Sequence, residues 1–136
     1  MDLINSLKIS ASGMRAQGTR LRVVAENVAN AESLGSKLGE DPYRRKTITF
    51  DNVLDRSMNA DLVKVSKIGR DQRDFQTVYE PHHPLADANG YIKKPNVNSL
   101  IEMTDLREAE RSYEANLSVI ESSKSLIQRT IDLIRG

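Results

Sequence analysis

Matching heptad patterns at the two ends of this 136-residue chain constrain its fold more than any other feature. In both patterns, residues recur at alternating steps of three and four, which places them on one stripe of an α-helix. The N-terminal seam consists of Ile4, Leu7, Ala11, Met14, Gly18, Leu21, Ala25 and Val28. The C-terminal seam consists of Met103, Leu106, Tyr113, Leu117, Ile120, Ile127, Ile131 and Ile134, with polar Glu110 and Lys124 at two of its positions. Two long terminal helices are therefore predicted to pack through these seams.

The composition between the two seams changes, and it predicts four segments. They are an N-terminal assembly helix (1–31), a connector (32–44), a small β-rich domain with a Pro-bounded loop (45–98) and a C-terminal assembly helix (99–136). Glycines and an Asp-Pro pair break the helical pattern in the connector. The predicted fold class is mainly α with a small β-rich insert, in which the terminal helices pair as a coiled coil beside a middle β unit and an ordered extended loop.

Short β-branched runs predict strands near 45–50, 62–68 and 74–79. Asn89-Gly90 predicts a turn, and the prolines of the 80–98 segment predict an extended loop rather than sheet. The second helix is expected to begin at Asn98 or Ser99, both good N-cap residues. Ser99 and Glu102 also have the spacing of a capping box.

The first helix is intrinsically weak, because Gly13 and Gly18 each cost about 1 kcal/mol relative to Ala in a helix interior. It therefore needs a packing partner, which is either the second helix of the same chain or a helix of another chain. The polar seam positions Glu110 and Lys124 and the short middle segment favour packing between chains.

Candidates for chemistry are few. The chain has no Cys, and His82-His83 is its only local set suited to metal binding or acid–base work. Adjacent side chains of an extended segment point in opposite directions, so these histidines are interpreted as loop residues. The run Arg44-Arg45-Lys46 is interpreted as a solvated face, and the net charge of +1 argues against general binding of nucleic acid. No catalytic, cofactor-binding or metal-binding residues, no small-molecule substrate and no enzymatic activity are predicted.

The beginning of the chain does not have the pattern of a secretory signal, because Asp2 occupies the basic region and charged residues interrupt any apolar run. No stretch approaches the roughly 20 apolar residues that a transmembrane helix needs. We therefore expect no direct membrane insertion, and either a soluble protein or export without a cleaved signal peptide.

Two blocks of residues carry a family resemblance. The first contains Ser10, Ala11, Gly13, Asn27, Val28, Ala29 and Asn30. The second contains Tyr79, Pro81, Pro84, Asp87, Gly90, Tyr91, Pro95, Asn96, Asn98, Glu102, Met103, Arg111, Ser112, Tyr113 and Asn116. The first block resembles the signature of the bacterial flagellar axial proteins, the rod, hook and filament-junction group. The second is similar to the subunits of the proximal rod within that family, whereas the connector and residues 51–74 carry no matching motif.

The resemblance implies a structural subunit of the flagellar basal-body rod. Such a subunit polymerises through its terminal helices, with itself and with other rod proteins, into a helical tube that transmits motor torque across the periplasm. It is secreted by the flagellar export apparatus without a cleaved signal peptide. Alternatives are a sibling rod subunit of the same family, or a non-flagellar helical adaptor or membrane-surface binding module. Asn27 and Asn30 are expected to cap the end of the first helix, because Asn side chains bond local backbone groups.

Overall fold

The computed structural model describes residues 2–136, in which two long helices flank four strands. The elements are α1 (Leu3–Ala29), β1 (Lys46–Asp55), β2 (Ala60–Arg70), β3 (Gln76–Tyr79), β4 (Tyr91–Lys94) and α2 (Ser99–Arg135). The helices pack against each other and the strands form a small insert between them in the chain, which confirms the predicted fold class.

The contacts group the chain into two compact units. The first contains the chain up to Leu21 together with Ile48–Lys67 and Arg107–Gly136. The second contains Arg22–Thr47 and Ile68–Leu106. Each unit takes in part of both helices and part of the β1–β2 ribbon.

In the first unit, α1 and α2 run antiparallel. Gly13 lies against Asn116, and seven residues further along α1 Arg20 pairs with Glu108, with 3.3 Å between the guanidinium and carboxylate. The fully buried residues of this unit are small: Ser10, Ser12, Ala16, Ala109 and Ser123. Small side chains let two helix backbones approach closely, but they bury little apolar area.

The strands form two separate two-stranded sheets. β1 and β2 pair as a ribbon joined by residues 56–59, too few for a parallel crossover. β3 and β4 are antiparallel, with Tyr79 opposite Tyr91 and Gln76 opposite Lys94. β4 lies inside the segment predicted as loop. The prolines precede it at Pro84 and follow it at Pro95, so they do not interrupt its ladder.

The second unit holds most of the apolar core. Val23 and Val24 of α1, Ile92 of β4 and Val97 are buried in it. The start of α2 is set by Asn98, whose Oδ1 accepts from the backbone N–H groups of Leu100 at 3.0 Å and Ile101 at 3.3 Å. Asn98 is therefore the N-cap, one of the two residues that the sequence offered.

Candidate assembly surface and polar junction

The N-terminal seam lies off the buried stripe of α1. Ile4 and Ala25 are exposed, and the other six seam residues are half-buried. The fully buried side chains of α1 instead include Ser12, Ala16 and Asn27. A large part of the N-terminal seam is therefore uncovered in the single chain.

The C-terminal seam divides into two halves. Leu106, Tyr113, Ile120 and Ile127 are half-buried, whereas Met103, Leu117, Ile131 and Ile134 are exposed, as are the polar Glu110 and Lys124. The fully buried positions of α2 are Glu102, Ala109 and Ser123, which are multiples of seven residues apart. Half of the seam thus borders this buried stripe and half faces away from it.

A second apolar stripe on α2 was not anticipated from the sequence. Val119, Leu126 and Leu133 recur every seven residues and are 44%, 49% and 82% exposed. The seven-residue spacing was visible in the sequence, but the alternating three-and-four pattern of the neighbouring seam matched more residues. The last residue of the stripe, Leu133, lies in the segment 128–136, in which every residue is exposed. We call Val119, Leu126 and Leu133 the outer stripe of α2.

Three family-motif residues of the second unit, Asn27, Asn96 and Glu102, meet with residues outside the motif in a cluster that we call the polar junction. The junction is formed by Asn27, Tyr43, Arg45, Asp71, Asn96 and Glu102. Its centre is the Arg45 side chain, whose Nε contacts Oε1 of Glu102. Its two terminal nitrogens each lie 3.6 Å from a carboxylate oxygen, of Asp71 and of Asp105. Glu102 is completely buried and Arg45 is 19% exposed in its side chain. A buried carboxylate needs such a partner, because desolvating an unpaired charge is costly.

Amide side chains connect this ion pair to the backbone. Asn96 Oδ1 accepts from the N–H of Arg45 at 2.8 Å, while its Nδ2 donates to the carbonyls of Asp71 and Arg73 at 3.1 and 3.0 Å. Asn27 is 1% exposed and pairs with Lys46 in both directions, accepting at 2.9 Å and donating at 3.0 Å. Each amide thus bonds backbone groups of segments that are distant in the sequence, and the Asp71 and Arg73 carbonyls accept from Arg44 as well.

The electrostatics of the junction follow from these contacts. The Arg73 side chain and backbone N–H hold the pKa of Asp71 at about 2, below its usual 3.8. Burial raises the pKa of the Tyr43 hydroxyl, which donates to Asn27 Oδ1 at 2.8 Å. The Nζ atom of Lys46 lies 2.5 Å from Oε2 of Glu26, and this hydrogen bond lowers the pKa of the Glu26 carboxyl. All three groups keep the protonation states that their hydrogen bonds require at neutral pH.

Three expectations for this region need correction. Asn27 does not cap the helix end but bonds the first residue of β1. Glu102 does not complete a capping box, because its carboxylate binds Arg45 and Asn27 instead. The basic run 44–46 is not a solvated face: Arg44 lies 4.2 Å above the Phe75 ring, and its neighbours form the pairs just described. Nothing in the sequence around Arg45 reveals which distant carboxylates surround it.

Asn30 does act at the helix end. Its Nδ2 donates to the carbonyl of Glu26 at 2.9 Å, and its Oδ1 accepts from the Ser33 hydroxyl at 3.0 Å. The Glu26 carbonyl also accepts from the Asn30 backbone N–H, so the side chain adds a second hydrogen bond at the end of α1 and holds the turn into the connector, as expected.

The loop before β4 is ordered by its own hydrogen bonds. Asp87 Oδ1 accepts from the N–H groups of Asn89 and Tyr91, both at 2.9 Å. Gly90 has φ +85°, and a Cβ there would come within 2.8 Å of the Tyr79 ring. The Tyr79 and Tyr91 rings lie 5.2 Å apart, on exposed positions. The turn predicted at Asn89-Gly90 is confirmed.

The remaining motif residues occupy varied positions. Ser10 and Pro95 are buried, Val28, Ser112, Tyr113 and Asn116 are half-buried, and Ala29, Pro81, Pro84, Asn98, Met103 and Arg111 are exposed. Asn116 donates to the Ser112 carbonyl at 3.0 Å and faces Gly13 across the helix pair. The motif therefore unites residues that hold the fold with residues that remain on the surface.

The other chemical candidates do not form a site. His83 Nδ1 accepts from the N–H of Leu85 at 3.0 Å, and His82 is exposed. Across residues 2–136, no group of three or more His, Asp or Glu side chains is arranged to hold a metal ion. Within the same range, neither helix is long and apolar enough to cross a membrane.

Comparison with known proteins identifies relatives along nearly the whole chain. Residues 88–133 match the family model described as flagellar basal body rod FlgEFG protein C-terminal. The chain is 55% identical to the flagellar basal-body rod protein FlgC of Agrobacterium fabrum, over 95% of this chain and 93% of the relative. It is 41% identical to the FlgC protein of Salmonella typhimurium, over 98% of both chains. It is 39% identical to that of Bacillus subtilis, over 98% of this chain and 99% of the relative.

Proposed function

Because this chain belongs to the FlgC family of flagellar basal-body rod proteins, it is a structural rod subunit, and we propose that it polymerises through its terminal helices into the drive shaft of the flagellum. In this role it is not an enzyme, and its partners are other copies of itself and other rod proteins. It reaches the basal body through the flagellar export apparatus, without a cleaved signal peptide.

The observation that carries this proposal is the uncovered apolar surface of α2. Leu126, Ile131, Leu133 and Ile134 are between 41% and 82% exposed, and they lie close together in the last part of the helix. Apolar side chains clustered at this density mark interaction surfaces rather than ordinary solvent-exposed faces. We propose that neighbouring subunits cover them, together with the exposed residues of both seams.

We infer that the internal order of the second unit supports a role in transmitting torque. The first unit holds its helices together mainly through small residues, so its packing depends on further contacts with neighbours. The second unit is fixed internally by the polar junction. We propose that residues 1–31 and 99–136 are the assembly helices, and that residues 45–98, joined to the first helix by the connector 32–44, form a small ordered domain beside them.

Substituting Leu133 by Asp tests the assembly role. In a strain whose only copy of this chain carries Leu133→Asp, we expect that the cells no longer swarm and that purified basal bodies do not contain the variant chain. The reason is that a carboxylate cannot be buried in an apolar interface without a partner. The matched control is Ser125→Asp, which adds the same charge at an exposed position of the same helix. Wild-type recovery of Leu133→Asp in basal bodies would overturn the proposal.

The adaptor alternative makes a different prediction. A membrane-surface module would bind anionic vesicles through a basic amphipathic helix and release them at high salt. A rod subunit is expected not to bind anionic vesicles at either low or high salt, so it should not co-sediment with them.

A further inference from the structure

An open groove on the first unit has a specific chemical character. It has a volume of about 470 Å³ and is lined by Ala11, Met14, Arg15, Gly18 and Tyr113. Four of these residues belong to the two seams, and Arg15 provides a cation at the edge. Lys8 is exposed seven residues before Arg15, which places it on the same side of α1.

Neither cation has a direct hydrogen-bond or ion-pair partner among the described residues. Among residues 2–136, Arg15 and Lys8 form no hydrogen bond and no ion pair within 4 Å, and Lys8 has only a through-space attraction to Asp55. Arg20, by contrast, pairs directly with Glu108. One cation of α1 thus pairs across the helix pair, while the two along the groove side remain available.

α2 carries the complementary arrangement. Glu114 and Glu121 are exposed, seven residues apart, and neither forms an ion pair within the described chain. Between them lies Leu117, a seam residue that is 38% exposed. This face presents an apolar side chain flanked by two carboxylates, and the groove presents an apolar surface flanked by two cations.

The antiparallel helix pair brings these charges to matching heights. Gly13 lies level with Asn116, so two residues further along α1 Arg15 is level with Glu114. Seven residues back from Arg15, Lys8 is level with Glu121. Two copies placed side by side in the same orientation therefore match both pairs without an axial shift.

Resting on the proposed rod function, we propose that this groove binds α2 of a second copy of the chain, with Leu117 in the groove and Glu114 and Glu121 facing Arg15 and Lys8. The two surfaces are different patches of the subunit, so the contact is heterologous and can repeat from one side-by-side copy to the next around a polymer. Complementary charges at such a contact also set its register and reject mismatched neighbours.

Charge reversal distributed over two chains tests this contact. One chain carries Lys8→Glu and Arg15→Glu, and the other carries Glu114→Arg and Glu121→Arg. Each reversed chain alone places like charges at the contact, so a strain that makes only one of them should lose swarming. Co-production of both should restore swarming, because each reversed surface then meets its opposite on the other chain. A chain with all four substitutions should also swarm.

Each outcome decides the proposal. It is overturned if either reversed chain alone supports normal swarming, or if co-production does not restore it. Recovery only with the fourfold chain would place the attraction within one chain, and recovery by neither would indicate a different rod protein as the partner. If Leu133→Asp still prevents assembly in those cases, the rod function stands and only this pairing fails.

Disulfide capture gives a second test that does not need strong charge changes. The natural chain has no Cys, so Arg15→Cys and Glu114→Cys chains each carry one thiol. Oxidised basal bodies that contain both chains should yield a cross-linked mixed dimer. Basal bodies with Arg15→Cys and Ser118→Cys chains are the control, and an equal yield from that pair would contradict the contact.

Discussion

Gly13 of α1 lies directly against Asn116 of α2, and a Cβ at Gly13 would stand 2.8 Å from the Asn116 amide nitrogen. Both residues belong to the family motif. The hydrogen bond from that nitrogen to the Ser112 carbonyl holds the amide in place. A glycine that is unfavourable for the helix is therefore explained by the close approach of the second helix.

Alanine substitutions at two glycines of α1, Gly13 and Gly18, test whether Asn116 lies this close to Gly13. Gly18→Ala should raise the free energy of unfolding by about 0.5–1 kcal/mol, because a Cβ there meets nothing within 4 Å and Ala favours a helix. Gly13→Ala should raise the free energy of unfolding by less than this, or lower it, because Asn116 must move to make room for the added Cβ. Adding Asn116→Ala to Gly13→Ala should remove the difference, as measured by urea unfolding. Equal effects of the two glycine substitutions would contradict the close contact.

The ion pair at the centre of the polar junction gives a second prediction. Arg45→Met should lower the free energy of unfolding by about 3–5 kcal/mol, because it leaves the completely buried Glu102 without its cation. The double variant Arg45→Met/Glu102→Met should lose less than Arg45→Met alone, since no unpaired charge remains. Thermal or urea unfolding of the natural chain, both single variants (Arg45→Met and Glu102→Met) and the double variant checks this, and additive losses would show that the two side chains are not coupled.

The polar junction also makes the free energy of unfolding depend on pH. The pKa of Asp71 in the folded chain is about 2, below its usual 3.8, so the folded state binds this proton less readily than the unfolded state. The resulting stabilisation is present above about pH 4 and is lost as the pH falls towards 2. It amounts to about 1–2 kcal/mol, allowing for screening at the exposed Arg73. Asp71→Asn should lose stability at neutral pH and show a flatter profile between pH 4 and 2 in urea unfolding.

The loop before β4 allows a matched glycine test. Gly90 and Gly39 have φ values of +85° and +84°, so an Ala at either adopts an unfavourable backbone conformation. At Gly39 the added Cβ meets nothing within 4 Å, whereas at Gly90 it meets the Tyr79 ring. Gly90→Ala should therefore destabilise the chain by at least about 1 kcal/mol more than Gly39→Ala. Similar unfolding midpoints for the two variants would argue against the packed turn.

The sequence predicts those parts of this molecule that depend on local chemistry. The periodicity of both helices, the turn at Asn89-Gly90 and the capping role of Asn30 follow from residues within a few positions of one another. Arg45 could not be assigned, because its carboxylate partners lie far away in sequence and only the tertiary structure brings them together. The strand β4 was missed for a related reason, since its pairing with β3 outweighs the prolines that flank it.

The seams show the limit of pattern alone. A heptad pattern predicts that a helix packs, but not which chain supplies the partner. In α2 the completely buried stripe includes the polar Glu102 and Ser123, while apolar Leu126 and Leu133 are exposed. Hydrophobicity therefore did not identify the face that is buried within the single chain.

Hydrogen exchange of α2, in the free chain and in purified basal bodies, tests the central claim most directly. Residues 128–135 are helical but exposed throughout in the single chain, so nothing packs against this helix end to hold it closed. Their amides should therefore exchange rapidly there through local opening of the helix. In basal bodies, packing against neighbouring subunits should slow the same amides strongly, while the Arg45 and Asn27 region changes less. Equal exchange of residues 128–135 in the two samples would contradict assembly through this helix.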